Sequence, residues 1–134
     1  PLIPTARCVF NDVRLDGELS LLGVRGSNLA GKSTLLRSRG IALAVRQGAQ
    51  AIAPAPGRVA FAGPYRGYGT IVIIEHSGGW TTLVTGLAQL DTRVGDTLLA
   101  GSPIGIAGAG RPVLTLELRR GGEPVNPLEY IGRL

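Results

Sequence analysis

The chain alternates apolar and polar residues in short bursts set apart by glycine. Gly40-Ile-Ala-Leu-Ala-Val45 and Gly57-Arg-Val-Ala-Phe-Ala62 change character at every second position, the period of a strand with one buried face. Val113-Leu-Thr-Leu-Glu-Leu-Arg119 alternates strictly. A strand there places Leu114, Leu116 and Leu118 on the core face and Val113, Thr115, Glu117 and Arg119 on the other. Thr70-Ile-Val-Ile-Ile74 is instead a continuous apolar run, which predicts a strand covered on both faces. Gly67-Tyr-Gly69, Ser77-Gly-Gly79, Gly95-Asp96, Gly108-Ala-Gly110 and Gly121-Gly122 fall between these segments, where tight turns call for positive φ. The pattern predicts a mainly β fold of antiparallel strands. Pro124, Asn126 and Pro127 end the last strand, and the exit segment 128–131 is expected to pack against the body.

Upstream of Ser38 the character changes. Asn11, Asp12, Asp16 and Glu18 form a polar stretch, followed by apolar Leu19 to Val24, a glycine-lysine loop and Thr34-Leu-Leu36. A short helix is expected near 31–37. The chain therefore divides into an N-terminal segment, 1–37, that is no independent domain, and one domain, 38–134.

Composition narrows the choices. With 134 residues, 44% of them hydrophobic, there is enough for one core and not for two. The formal charge of +5 is almost all arginine, Lys32 being the single lysine. These charges suit an anionic partner, but no basic run interleaves with aromatics, so specific nucleic-acid binding is not expected. Cys8 is alone and forms no internal disulfide. No apolar run reaches the roughly 18 residues of a membrane span, and no export leader is visible, so an export signal is expected to lie outside this sequence.

Several pieces now fall in order: Ser38-Arg-Gly-Ile-Ala-Leu, Ala53-Pro-Ala-Pro-Gly-Arg-Val, Gly67-Tyr-Gly, Ile73-Ile-Glu-His76, Arg93-Val-Gly-Asp96, Gly101-Ser-Pro-Ile-Gly105 and Leu116-Glu-Leu-Arg-Arg-Gly-Gly-Glu-Pro-Val-Asn-Pro127. Over residues 38–131 this set resembles the LytM or lysostaphin-like zinc endopeptidases. The resemblance implies an antiparallel β groove fold of the LytM, or duplicated hybrid motif, type, acting on or near bacterial peptidoglycan. Active members hold zinc with the His and Asp of His-x-Gly-x-Asp and the second His of His-x-His, and a further His assists. Against that pattern this chain has Ser38 and Ala42 for the first pair, Gly86 for the assisting His, and Val113 and Thr115 for the last pair.

Catalytic zinc needs three protein ligands drawn from His, Cys, Asp or Glu, and a water whose pKa it lowers. Serine, alanine and threonine cannot supply them, so neither catalytic residue nor metal nor cofactor is expected. His76 has no partner at ligand spacing and reads as a locally satisfied residue. Glu75 and Glu117 stand on different predicted strands, and the resemblance gives neither an acid–base role.

Emptied sites of this kind resemble the EnvC-type murein hydrolase activators, which switch on cell-wall amidases through the groove. Phe61-Ala-Gly-Pro-Tyr-Arg-Gly-Tyr-Gly69 and the Gly79-Trp-Thr-Thr-Leu83 turn are similar to that branch. The resemblance implies a periplasmic or envelope location, with an amidase or other envelope protein as partner and peptidoglycan as a second target. Tyr65, Arg66, Tyr68, Trp80, Arg111, Thr115, Glu117 and Arg119 are the candidate partner contacts, since Tyr, Trp and Arg dominate interface energetics.

A rival motif remains. Gly26-Ser-Asn-Leu-Ala-Gly-Lys-Ser33 fits a phosphate loop, in which Gly26 and Gly31 shape the turn, Lys32 reaches the phosphates and Ser33 binds magnesium. With Cys8-Val-Phe-Asn-Asp-Val-Arg14 and the following Thr-Leu-Leu-Arg37, it resembles the opening of MutS-type ATPases. No strand ending in Asp-Glu follows, so this alternative is a nucleotide-binding fragment fused near 36–40, and ATP hydrolysis is not expected.

Overall fold

The computed structural model describes residues 6–10, 33–37, 39–67 and 69–127. The strands are β1 (Ala6–Phe10), β2 (Ser33–Leu36), β3 (Ile41–Ala44), β4 (Gln50–Ile52), β5 (Gly57–Tyr65), β6 (Gly69–Glu75), β7 (Trp80–Thr85), β8 (Leu87–Leu90), β9 (Thr97–Leu98), β10 (Pro103–Ala107), β11 (Val113–Arg120) and β12 (Glu123–Val125). Among the described residues the one helical element is a 3-10 turn at Ser77–Gly79, and no helix is long and apolar enough to cross a membrane.

Nine strands form one antiparallel sheet in the order β1-β2-β3-β11-β7-β6-β5-β9, with β12 also paired to β11. β4, β10 and β8 form a second, three-stranded sheet. Leu43, Leu114, Leu116, Val84, Val72, Ile74 and Val59 from the large sheet share one buried cluster with Ala51, Leu87, Ile104 and Ala107 from the small one. The small sheet thus covers one face of the large sheet. The alternation in β11 does what period two demands: Leu114, Leu116 and Leu118 are buried at 0–3% exposure, and the odd positions face away.

Three expectations change. Residues 33–36 are strand and not helix, because Thr34 and Leu35 pair with Ala42 and Ile41 on one side and the same segment pairs with β1 on the other. Ladder bonds from both neighbours outweigh a local preference. The turn from β2 into β3 is closed by Arg39 N–H on Leu36 O (3.0 Å) and Leu36 N–H on Gly40 O (2.8 Å), with Arg39 at φ 67°. β2 and β3, on either side of residues 37 and 38, are neighbours in one sheet.

The second change is in β6. Ile71, Val72 and Ile74 are buried, but Ile73 is only half-buried; among the described residues no second layer lies over the face it shares with Leu83 and Thr85. The third concerns Trp80, which opens a strand instead of occupying a turn; the turn is Ser77–Gly79 just before it. The exit segment 128–131 lies outside the described residues.

Candidate functional site

The face of the large sheet that no second layer of the described residues covers collects the positions that matter. Across β3 and β11, Ala42 pairs with Thr115 and Ala44 with Val113. Across β11 and β7, Thr115 pairs with Thr85, and Thr85 in turn pairs with Ile71 of β6. Side chains opposite one another in such ladders have Cβ atoms about 5 Å apart. Ala42 and Thr115 are therefore neighbours, as two ligands of one ion would have to be. Their chemistry does not fit zinc: one methyl and one neutral hydroxyl provide no ligand that holds a divalent zinc ion. Among the described residues no three His, Cys, Asp or Glu come together. Ser38 lies outside the described residues.

Gly86 departs further. Its φ is +97°, and a Cβ built there would stand 2.5 Å from the carbonyl oxygen of Val113. The backbone at this position has closed against β11, so it has room for no side chain at all. Gly86 N–H donates to Thr70 O at 3.2 Å, which ties the same turn to β6.

Beside this row is a shallow cavity of about 230 Å³ lined by Tyr65, Ile71, Ile73, Leu83, Thr85, Glu117 and Arg119. Its floor is apolar, and one wall is an ion pair on a single strand. Arg119 Nη2 and Nε both donate to Glu117 Oε1, at 3.1 and 3.3 Å, with the two side chains 40% and 20% exposed. The other wall is aromatic. Phe61 and Tyr65 meet edge to face with centroids 5.8 Å apart. Gly63 lies between them, and a Cβ there would meet Phe61 only at an ordinary contact distance of 3.9 Å.

The candidate contacts separate into groups. Tyr65, Thr115, Glu117 and Arg119 share the open face. Arg66 is exposed in the β5–β6 turn at one end of that face. Arg111 borders a second depression of about 500 Å³ at the same end, with Ala44, Arg46, Pro112 and Val113. Trp80 is not with them. In β7 it has the parity of buried Thr82 and Val84, and Arg120 stacks over its ring at 5.0 Å, so it stands on the opposite face. Tyr68 lies outside the described residues.

Lys32, Gly26 and Gly31 also lie outside them, and Ser33 is described only as backbone of β2. A phosphate cradle needs a helix N-terminus after its lysine, where free N–H groups converge on the anion. Here Ser33–Leu36 is an extended strand paired on both edges, so that helix is missing.

His76 is held locally. Its Nδ1 donates to the carbonyl oxygen of Pro56 at 2.7 Å, which fixes the tautomer because a carbonyl can only accept. Nε2 then accepts from the hydroxyl of Thr82 at 2.8 Å, and Thr82 is 1% exposed.

Sequence reasoning missed Thr85, Leu83, Ile71 and Ile73 as groove floor, and Arg46 at its end. A signal existed for β7: counting by twos from Thr115's partner would have reached them, but threonine on both faces of Trp80-Thr-Thr-Leu-Val-Thr85 hides the alternation.

Comparison with known proteins places this geometry. Residues 37–127 match the model for "Peptidase family M23". The chain is 37% identical over 112 residues to the murein hydrolase activator EnvC of Escherichia coli, covering 81% of this chain and 26% of that protein. It is 35% identical over 98 residues to the murein hydrolase activator NlpD of the same species, covering 70% and 26%. The chain thus spans about a quarter of the length of these relatives. A solved M23 peptidase structure from Pseudomonas aeruginosa superposes with a TM-score of 0.71 at 24% identity, over 85% of this chain and 52% of that one, and shows the shared fold.

Proposed function

The chain belongs to peptidase family M23, and from that membership we propose that it is a non-catalytic module that binds and activates a cell-wall amidase in the bacterial envelope. The observation that carries the reading is the Ala42–Thr115 pair: the two positions face each other as a ligand pair does, and neither can hold zinc. Gly86 supports it, because its backbone admits no histidine. The similarity to two proteins named as murein hydrolase activators supplies the activity class.

The binding surface is the open face. Thr115, Glu117 and Arg119, with Tyr65 toward one end, stand around an apolar floor that a partner's apolar side chains can fill. Arg66 and Arg111 extend it. Burying a floor of this kind drives association, while the Glu117–Arg119 pair fixes which polar groups are accepted.

The test is release of dye-labelled peptidoglycan by the protein alone, with added zinc, and with an autoinhibited amidase. Release only with the amidase supports the proposal. Zinc-dependent release by the protein alone would sink it and restore the family's peptidase activity. Binding to peptidoglycan without any release would favour a passive wall-binding module.

A further inference from the structure

At one end the open face carries arginines with no acidic residue in the segments that build it. The strand registers put the β5–β6 turn, Gly86 and the start of β11 at the same end of the large sheet: Tyr65 pairs with Gly69, Gly86 bonds to Thr70, and Val113 pairs with Ala44. That end carries Arg66 and Arg111, with Arg46 beside Arg111 around the same depression. No Asp or Glu occurs in the segments 44–47, 65–69 or 108–113 that build it. Toward the other end of this face, Arg119 is ion-paired with Glu117 and Arg58 stands in register with Glu75. Two to three strand spacings separate the Arg66 turn from β11, roughly 10–14 Å.

Next to these arginines stand two apolar groups that face solvent, Tyr65 at 53% and Val113 at 52% exposure. The apolar floor and the basic end are parts of one continuous face, joined through Thr115 and Thr85.

We infer that the groove takes a peptide segment with a fixed direction: apolar side chains over Ile73 and Leu83, and carboxylates at the end that reaches Arg66 and Arg111. This deepens the amidase proposal and rests on it for the segment's source. Guanidinium groups favour carboxylates because their planar donors match both oxygens. An extended or helical segment is equally served, since the recognition lies in the order of apolar and acidic groups.

The test uses two labelled synthetic peptides with the same Leu/Ile half, one continued by glutamates and one by lysines. Each is titrated by fluorescence anisotropy into the full chain, into the Arg66→Glu/Arg111→Glu variant and into an Arg58→Glu/Arg93→Glu control of equal charge. The wild type and the control should bind the glutamate peptide at least about tenfold more tightly than the lysine peptide, and the Arg66/Arg111 variant should lose or invert that preference. Equal binding of the two peptides, or an unchanged preference in the Arg66/Arg111 variant, would overturn the inference. So would rim-dependent binding to phosphatidylglycerol vesicles without peptide discrimination, which would assign the arginines to a lipid surface. The same proteins are run in the peptidoglycan-release assay. Peptide discrimination without amidase activation removes the functional proposal and keeps the basic end; activation unchanged in the Arg66/Arg111 variant, with no discrimination, does the reverse.

Discussion

Ala42 and Thr115 stand directly opposite each other across the β3–β11 ladder, on the face of the sheet that no second layer covers among the described residues. Two residues so placed, given ligating side chains, supply two of the three protein ligands that a catalytic zinc ion takes. The double variant Ala42→Asp/Thr115→His should therefore gain cobalt binding, visible in the absorption of the bound ion, where the wild type shows none. It should gain no peptidoglycan hydrolysis. A variant that folds and takes up no metal would contradict the side-chain proximity argued from the register.

Gly86 gives the second expectation. Replacing it with alanine forces a Cβ to 2.5 Å from Val113 O at a φ of +97°. Strain of that kind costs on the order of 3 kcal/mol, before any groove function is considered. Urea unfolding should show the midpoint fall with little change in slope. A loss below about 0.5 kcal/mol would mean that the turn opens freely.

His76 and Thr82 form the third. Removing the imidazole in His76→Ala leaves the Thr82 hydroxyl and the Pro56 carbonyl without that partner, a cost of about 1–3 kcal/mol. Thr82→Val removes the other end of the same bond. The two changes share one interaction, so the double variant should be less destabilised than the sum of the singles, and a strictly additive cycle would count against the bond.

For the groove, Arg119→Ala and Leu83→Asp should each abolish or sharply reduce amidase activation while the melting temperature moves little, since both side chains face the open side. Leu114→Ala provides the contrast. That side chain is fully buried between the sheets, and its truncation should cost about 2–5 kcal/mol with loss of fold preceding loss of function.

The sequence was most legible where one physical demand acted alone. The leucines of β11 had to alternate, and the glycine turns had to tolerate positive φ, so both could be read without a structure. Ile73 was misjudged because four successive apolar residues cannot say whether one layer or two will cover them; that depends on the size of the small sheet. The segment around Ser33 was misjudged for a related reason. Its motif is a local pattern, while its strand is imposed by β1 and β3 from either side. Of the contact candidates, those on β11 followed from parity, and Trp80 was misplaced because threonines on both faces of β7 blur the count.

The position of Trp80 has a practical consequence. It is the only tryptophan in the chain, and it lies behind the sheet under Arg120, away from the groove. Its fluorescence will follow unfolding and report little of whatever occupies the open face. The molecule thus carries one native optical reporter that tracks its stability from the side away from the groove, so unfolding of groove variants can be compared without attaching a dye.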